Sequence, residues 1–371
     1  PPPPPPTALL GGVPVAAQTA EPAEPASPQA VQATSIRLAA VADASSGVPH
    51  RVGTPRLPTA SYSMVAVTWR GTAEPRVAVR TRSGRAWSDW RELHTLHEHA
   101  PESVTAEPAQ RMQRSGTELL WVGPSDGVQV RMAGPPAQGA RVTLVDPGTL
   151  PSDTRTPAAE SAPSAVAGVG QAPQPKIRVR RAWGADDSWR SGDPVYMHRI
   201  KMAHIHHSAG TNNYTRSDVP AIIRGMYWYH TQQLGWSDIG YNFVVDKFGR
   251  IWVGRAGGYR RPVRGAHTLG FNHASVGVAA LGNFDGTRPP RRLVGALVRL
   301  TAWKLDAYGR RPAGYSWMRS HGSDRYPEGT RVRLRTIDGH RDTNQTACPG
   351  DHLYGRLPEI RRRAQQRVDA F

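Results

Sequence analysis

The stretch Gly339-His340-Arg341-Asp342-Thr343-Asn344-Gln345-Thr346-Ala347-Cys348-Pro349-Gly350 constrains this chain more than any other, because it holds the only cysteine in 371 residues. A lone thiol closes no disulfide within the chain, so Cys348 is either a small buried apolar residue or a thiolate ligand. Far upstream lies a histidine cluster, His204-Ile205-His206-His207, at the end of an apolar-flanked run. Two imidazoles and a thiolate are three of the four ligands of a tetrahedral zinc. Three protein ligands leave one corner for water, which marks a catalytic and not a closed structural site. Such a water is acidified towards neutrality. On a strand, His204 and His206 face one side and His207 the other, and alternation does not choose between the first two. By spacing alone the plainer reading is preferred, with Cys348 in the core and His340 in a loop, since this histidine–cysteine spacing is not a specific pattern.

A chain of this length exceeds one average domain, so two folded units with linkers are expected. The net charge of +18 calls for a polyanionic setting, and DNA, anionic lipid and anionic cell wall all qualify. The competing explanation is a general arginine bias spread over solvated faces. Zinc-knuckle, homeodomain and similar motifs are missing, which sets nucleic acid aside as a partner. Apolar runs fall short of the roughly 18 residues that span a bilayer. The segment Ala8-Leu9-Leu10-Gly11-Gly12-Val13, followed by Val15-Ala16-Ala17, reads equally as the tail of a signal peptide or as an Ala/Pro linker.

Residues 1–60 are rich in Pro, Ala and Ser without periodicity and are expected to be disordered. From 61 to 147 short alternating runs such as Ser63–Trp69, Arg76–Thr81, Val128–Met132 and Arg141–Val145 predict a small antiparallel all-β domain. Trp69, Trp87, Trp90 and Trp121 are read as its core aromatics in preference to a sugar-stacking face. Residues 148–176 are again Pro/Ala/Ser/Gly-rich and are expected to be a linker to a self-sufficient domain over 177–371. There the pattern alternates. A strand at 202–206 leads to a helix whose apolar face carries Val219, Ile222, Ile223, Met226, Tyr227, His230 and Leu234, with Ser217 or Asp218 as cap. His230 on that face reads as a core histidine. A hairpin comes next, over 241–253. Ser275–Leu281 is a near-continuous apolar run suited to a sheet centre, and two more helices close the chain. The fold class is α/β, a mixed central β-sheet flanked by helices, preceded by a small all-β domain.

Four segments give this pattern a family. They are Ile205-His206-His207-Ser208-Ala209-Gly210, Gly235-Trp236-Ser237-Asp238-Ile239-Gly240-Tyr241-Asn242-Phe243, Gly265-Ala266-His267 with Asn272-His273-Ala274-Ser275-Val276-Gly277-Val278, and the His340–Cys348 block. In this order they resemble the zinc-dependent N-acetylmuramoyl-L-alanine amidases that share a fold with peptidoglycan recognition proteins. The resemblance covers residues 177–371, and the β-rich part more loosely resembles extensions that precede the amidase domain in actinobacterial wall enzymes.

The resemblance implies a secreted, wall-associated enzyme that cuts the amide between N-acetylmuramic acid and L-alanine, with peptidoglycan or muropeptides as substrate and anionic wall polymers as further partners. It implies that His206, His340 and Cys348 hold Zn2+ and that Tyr241 donates to the developing oxyanion; it matches His267 to a cleft histidine that binds substrate, while a lone histidine after Gly-Ala reads equally as structural. Thr346 stands where phage-type members carry lysine, and so offers a hydroxyl without a charge. Asp342 and Asn344 either orient the ligands from outside or shape the loop. No glutamate stands out as general base. The alternative is a non-catalytic peptidoglycan-binding module, which in this family typically lacks the cysteine ligand that Cys348 supplies.

Overall fold

The computed structural model describes residues 30–40, 52–96, 114–154 and 172–371. The expected disorder of 1–29, both readings of the segment 8–17, and most of the expected linker lie outside these residues.

The first unit is built of ten strands, all paired antiparallel: β1 Gln32–Arg37, β2 Ala39–Ala40, β3 Val52–Gly53, β4 Leu57–Arg70, β5 Arg76–Ser83, β6 Ala86–Trp87, β7 Arg91–Leu93, β8 Ser115–Gly116, β9 Leu120–Ala133 and β10 Gln138–Asp146. The long β9 pairs with β4 over its first part and with β5 over its second, so it bends from one layer to the other. This corrects the reading of 1–60 as disordered wherever those residues are described. β1 zips onto β10 from Gln32 to Arg37 and β4 opens at Leu57. The reason is visible in β1, whose side chains are all exposed but a half-buried Ile36. Such an edge strand is held by its backbone and carries no apolar period for a sequence to display.

The second unit holds a six-stranded sheet. Its strands are β11 Ile177–Arg178, β12 Met202–His207, β13 Phe243–Val245, β14 Ile251–Val253, β15 Ser275–Ala280 and, after a separate ribbon of β16 Tyr315–Arg319 with β17 Arg331–Arg335, β18 Ile337–Gly339. The spatial order is β11-β14-β13-β15-β12-β18. β15 therefore lies between two parallel neighbours, as its apolar run predicts. Helices α2 Arg291–Asp306 and α4 Leu357–Asp369 cover one face, packing Leu293, Leu297, Leu300, Leu357 and Ile360 on Ile205, Phe243, Val276 and Val278. Between them chain-wise lies the short α3 Asp351–Tyr354. Helix α1 Asp218–Trp228 lies on the other face and continues into a π turn, Tyr229–Gln233. Ser217 takes the N-cap position of α1, one of the two expected, but without a capping hydrogen bond. It already has helical dihedrals, while Asp218 Oδ2 accepts from Thr215 N at 2.6 Å.

The two units share one core. Along β4, Val65, Val67 and Trp69 point into the β domain, while Met64 and Ala66 join Trp183, Ile223, Met226, Tyr229 and Trp236 of the second unit. This is why Met64-Val65-Ala66-Val67 is buried on both faces and reads as unbroken apolar sequence. Trp69 and Trp121 are core residues as expected, but Trp87 and Trp90 are half-buried beneath arginines, with Arg80 5.4 and 4.9 Å from their ring centres. The start of the expected linker is also anchored. Arg224 of α1 donates to Pro147 O at 2.8 Å, Gly148 O at 2.7 Å and Trp183 O at 3.0 Å, and it pairs with Asp153 at 2.9 Å. Both charges are buried, and the two expected beads on a linker are one packed body across this interface.

A buried ion pair that loses one partner strands the other, at a cost of about 3–5 kcal/mol. Arg224→Ala is therefore expected to lower the unfolding free energy by about that amount in urea titration, and Arg224→Lys to recover little of it, since an ammonium cannot reproduce the five-donor fork. A loss under about 1 kcal/mol would show that this contact does not hold the units together.

Candidate metal centre

The site grows from the register of three parallel strands. Ala203, His204 and Ile205 of β12 pair with Ile337, Asp338 and Gly339 of β18, so the next residues along each strand, His206 and His340, emerge side by side. Their ring centres are 4.7 Å apart. Past His340 the chain makes a single 3-10 turn and returns, with Arg341 N donating to Cys348 O at 3.0 Å. That return brings Cys348 Sγ to 3.8 Å from His206 Nδ1. One donor atom from each of His206, His340 and Cys348 lies within 4.8 Å of the others, and all three residues are buried. The approach is possible because Gly339 has no side chain; a Cβ there would meet Pro349 and Tyr354 at 2.8 Å. The constellation sits at the carboxyl ends of the parallel strands, where ligands of open α/β sheets collect.

The choice between His204 and His206 that alternation leaves open is decided by depth. His204 lies one pleat further in, with Nδ1 2.7 Å from Asp338 Oδ1. Burial pushes the Asp338 carboxyl up, against the pull of His204. His207 turns to the opposite face, where its Nδ1 accepts from Phe284 N at 3.3 Å. Burial lowers its pKa to about 4.

The neighbours are arranged around this core. His267 Nδ1 stands 3.2 Å from His206 Nε2, and the ring has no exposed surface. It fits only because Gly277 of β15 lies beneath it, where a Cβ would come within 2.2 Å. His267 thus lies against the His206 ring in the buried interior, a placement that suits its structural reading. Tyr241 is buried with its ring 5.5 Å from that of His206. Burial, then the charges of Glu118 and Cys348, push its phenol well above the ordinary range, so it stays protonated as a donor. Thr346 is half-buried and its hydroxyl accepts from Cys348 N at 3.2 Å. Asp342 and Asn344 shape the loop: Asp342 accepts from Gly339 N at 2.9 Å and Tyr354 OH at 2.7 Å, and Asn344 Oδ1 accepts from Thr268 Oγ1 at 3.0 Å. His230 is the buried core residue its periodicity suggests, accepting from Gly240 N at 3.2 Å and packed on Trp236 at 4.4 Å.

Glu118 had no signal in the sequence. It belongs to the β domain and is buried, with its backbone N–H donating to His94 O at 2.8 Å. The preceding Thr117 O accepts from Tyr229 OH at 2.9 Å, and the His94 ring lies 6.3 Å from that of His207. The β domain thus packs a buried acidic residue against the second unit beside Tyr229. Only the packing of the two units places it there.

Comparison with known proteins agrees with this architecture. The profile of the N-acetylmuramoyl-L-alanine amidase family matches residues 196–351, and that of the Rv3811 N-terminal galactose-binding domain-like family matches 14–167. Peptidoglycan-recognition protein SC1a of Drosophila melanogaster is 29% identical over 176 residues, 47% of this chain and 80% of the relative. Peptidoglycan recognition protein 1 of Mus musculus is 29% identical over 175 residues, with 47% and 80% covered. The Homo sapiens N-acetylmuramoyl-L-alanine amidase is 30% identical over 187 residues, 49% of this chain but 28% of that protein. Strand register, the histidine–cysteine constellation and these relatives converge: the second unit of this chain is a domain of the N-acetylmuramoyl-L-alanine amidase family, akin to peptidoglycan recognition proteins, and it comes after a β-rich galactose-binding-like domain.

Proposed function

We propose that this chain is a secreted, zinc-dependent hydrolase of the amide bond between N-acetylmuramic acid and L-alanine in bacterial peptidoglycan. The observation that carries the proposal is the buried meeting of His206, His340 and Cys348, with donor atoms within 4.8 Å of one another. Two imidazoles and a thiol suit a borderline-soft ion, and neither magnesium nor calcium favours such donors. A zinc ion bound there supplies Lewis-acid polarisation of the amide carbonyl and acidification of water. Retention of all three donors favours a catalyst over a binding module. An extracellular location accords with the substrate, which lies outside the cell membrane.

The chain's own residues supply the rest. Tyr241, held protonated by burial, donates to the oxygen that gains charge as the amide is attacked. Thr346 accepts from Cys348 N and retains its O–H for the same oxygen or for substrate. His267 fixes the His206 ring from behind, and the His204–Asp338 contact stiffens the strand pair on which both histidine ligands depend. After burial, the charge of Glu118 is a further cause that holds the Tyr241 phenol protonated.

Purified protein is expected to carry about one zinc per chain. Cys348→Ser should lose that zinc and all hydrolysis while keeping muropeptide affinity, read by metal analysis, mass spectrometry of products and calorimetry. Hydrolysis at the parent rate in the serine variant would remove Cys348 from the metal centre. Tyr241→Phe should keep zinc and lower kcat by about a hundredfold or more. An unchanged kcat in that variant would strip Tyr241 of its role.

A further inference from the structure

The ribbon of β16 and β17 belongs to neither large sheet. Tyr315 pairs with Arg335, Trp317 with Arg333 and Arg319 with Arg331, in antiparallel register. Side chains alternate along each strand, so these six share one face. That face is open: Trp317 is 54% and Tyr315 45% exposed, and all four arginines are exposed. The opposite face is closed by Met318 and Leu334, which pack on Met202 and Phe271.

The aromatic rings act as pedestals for the arginines. The guanidiniums of Arg333 and Arg335 each lie 4.0 Å from the centre of the Tyr315 ring, and that of Arg331 lies 5.1 Å from Trp317. Like charges are gathered on one short surface, and among the described residues no ion pair to a carboxylate is formed by Arg319, Arg331, Arg333 or Arg335. A face that only needed solubility would intersperse both signs. Guanidinium forks match phosphate oxygens two at a time. Alternate residues on a strand stand about 7 Å apart, the scale of successive charges on a polyol phosphate chain.

The ribbon is also tied to the metal loop. Its connecting loop offers Asp324, which accepts from Asn344 Nδ2 at 3.1 Å and Gln345 N at 2.9 Å. Ser323 Oγ donates to Thr343 O at 2.9 Å, and Arg325 Nη1 to Arg341 O at 2.7 Å. An open cavity of about 410 Å³ is lined by Arg325 from that loop and by Arg341, Thr346 and Tyr354. A polymer resting on the ribbon therefore has a fixed place relative to His340 and Cys348.

We propose that the outward face of the β16–β17 ribbon is an anchoring site for a phosphodiester-linked anionic polymer of the bacterial wall, with Arg319, Arg331, Arg333 and Arg335 as its phosphate contacts. The choice of a wall polymer rests on the peptidoglycan-hydrolase reading. The charge arrangement does not.

The test uses the whole chain and poly(glycerol phosphate) as the probe, with neutral dextran and a DNA duplex of matched charge beside it, titrated over a range of salt. The Arg319→Gln/Arg331→Gln/Arg333→Gln/Arg335→Gln variant should bind the polymer at least about tenfold more weakly, with a salt dependence shallower by about 0.7 per lost contact. The single variant Arg333→Gln should lose about one such contact, and serves if the quadruple variant fails to fold. Hydrolysis of a soluble muropeptide should be unchanged in both. Parent-like polymer binding in folded variants would overturn the site, as would dextran binding as tightly as the polymer. Tighter binding to the duplex, lost in the same variants, would make the ribbon a nucleic-acid site and overturn the wall assignment. Loss on replacing Arg80 and Arg131 of the β domain, but not the ribbon arginines, would move the site elsewhere. A parent chain that binds the polymer but cleaves no muropeptide would sink the hydrolase reading and leave the ribbon's charge chemistry standing.

Discussion

The pairing of β12 with β18 decides where every other part of the candidate metal centre can stand. Parallel strands present their residues in step, and two histidines one position beyond the last paired residues must emerge together. The position of the third donor is then forced by reach. The chain turns tightly after His340 and returns through Cys348, and the turn closes only over a glycine at 339. Burying two imidazoles and a thiol in this way is unfavourable unless their polar atoms are engaged. The loop reduces that cost by satisfying its own backbone: His340 O accepts from Thr343 N at 3.0 Å, Asn344 N at 3.1 Å and Thr343 Oγ1 at 2.9 Å. A bound cation would engage the clustered ring nitrogens and sulfur directly.

Around this pair the sheet has two unlike faces. One is an ordinary helix-covered core, built by α2 and α4 on the odd-numbered residues of β12. The other carries His204 and His206, and it is closed by α1 and by a second domain. A site sealed on one side by a separate unit can borrow groups from it. Glu118 is brought against the second unit in this way, on a strand connection that is distant in sequence and pinned to the π turn after α1 by the Thr117–Tyr229 hydrogen bond. A π turn widens the helix by one residue and re-aims the side chains beyond it. Here it sets Tyr229 against the β domain and His230 beneath Gly240.

Beside ordinary ion pairs such as Arg250–Asp246, three uses of arginine stand apart. Arg224 is buried with all its donors engaged and holds the units together. Arg80 and Arg131 lie over the half-buried tryptophans of the β domain, with Arg131 4.2 Å from Trp90. The ribbon arginines are exposed and stacked on exposed rings. A uniform composition bias does not separate them in this way; packing does.

The sequence by itself determined the fold class and the chemistry of the ligands. Period-two and helical patterns are local, and His340, Cys348 and the cluster at 204–207 offer metal-binding atoms by residue type, while their reading as ligands comes from the family resemblance. Alternation placed His207 apart from its neighbours, because a strand's side-chain period is a property of the backbone. Tertiary structure decided whatever depends on contacts between distant segments. It separated His206 from His204 by depth along one face, and set His267 against the His206 ring, since only Gly277 leaves room for that ring. It turned the reading of 1–60 as disordered into edge pairing for its described strands, where backbone hydrogen bonds leave no trace in side-chain pattern. It also joined the two units through Met64, Ala66 and Arg224 and so brought in Glu118. A carboxylate's role is set by which surface it is pressed against, and a sequence does not name the surfaces its chain will bring together.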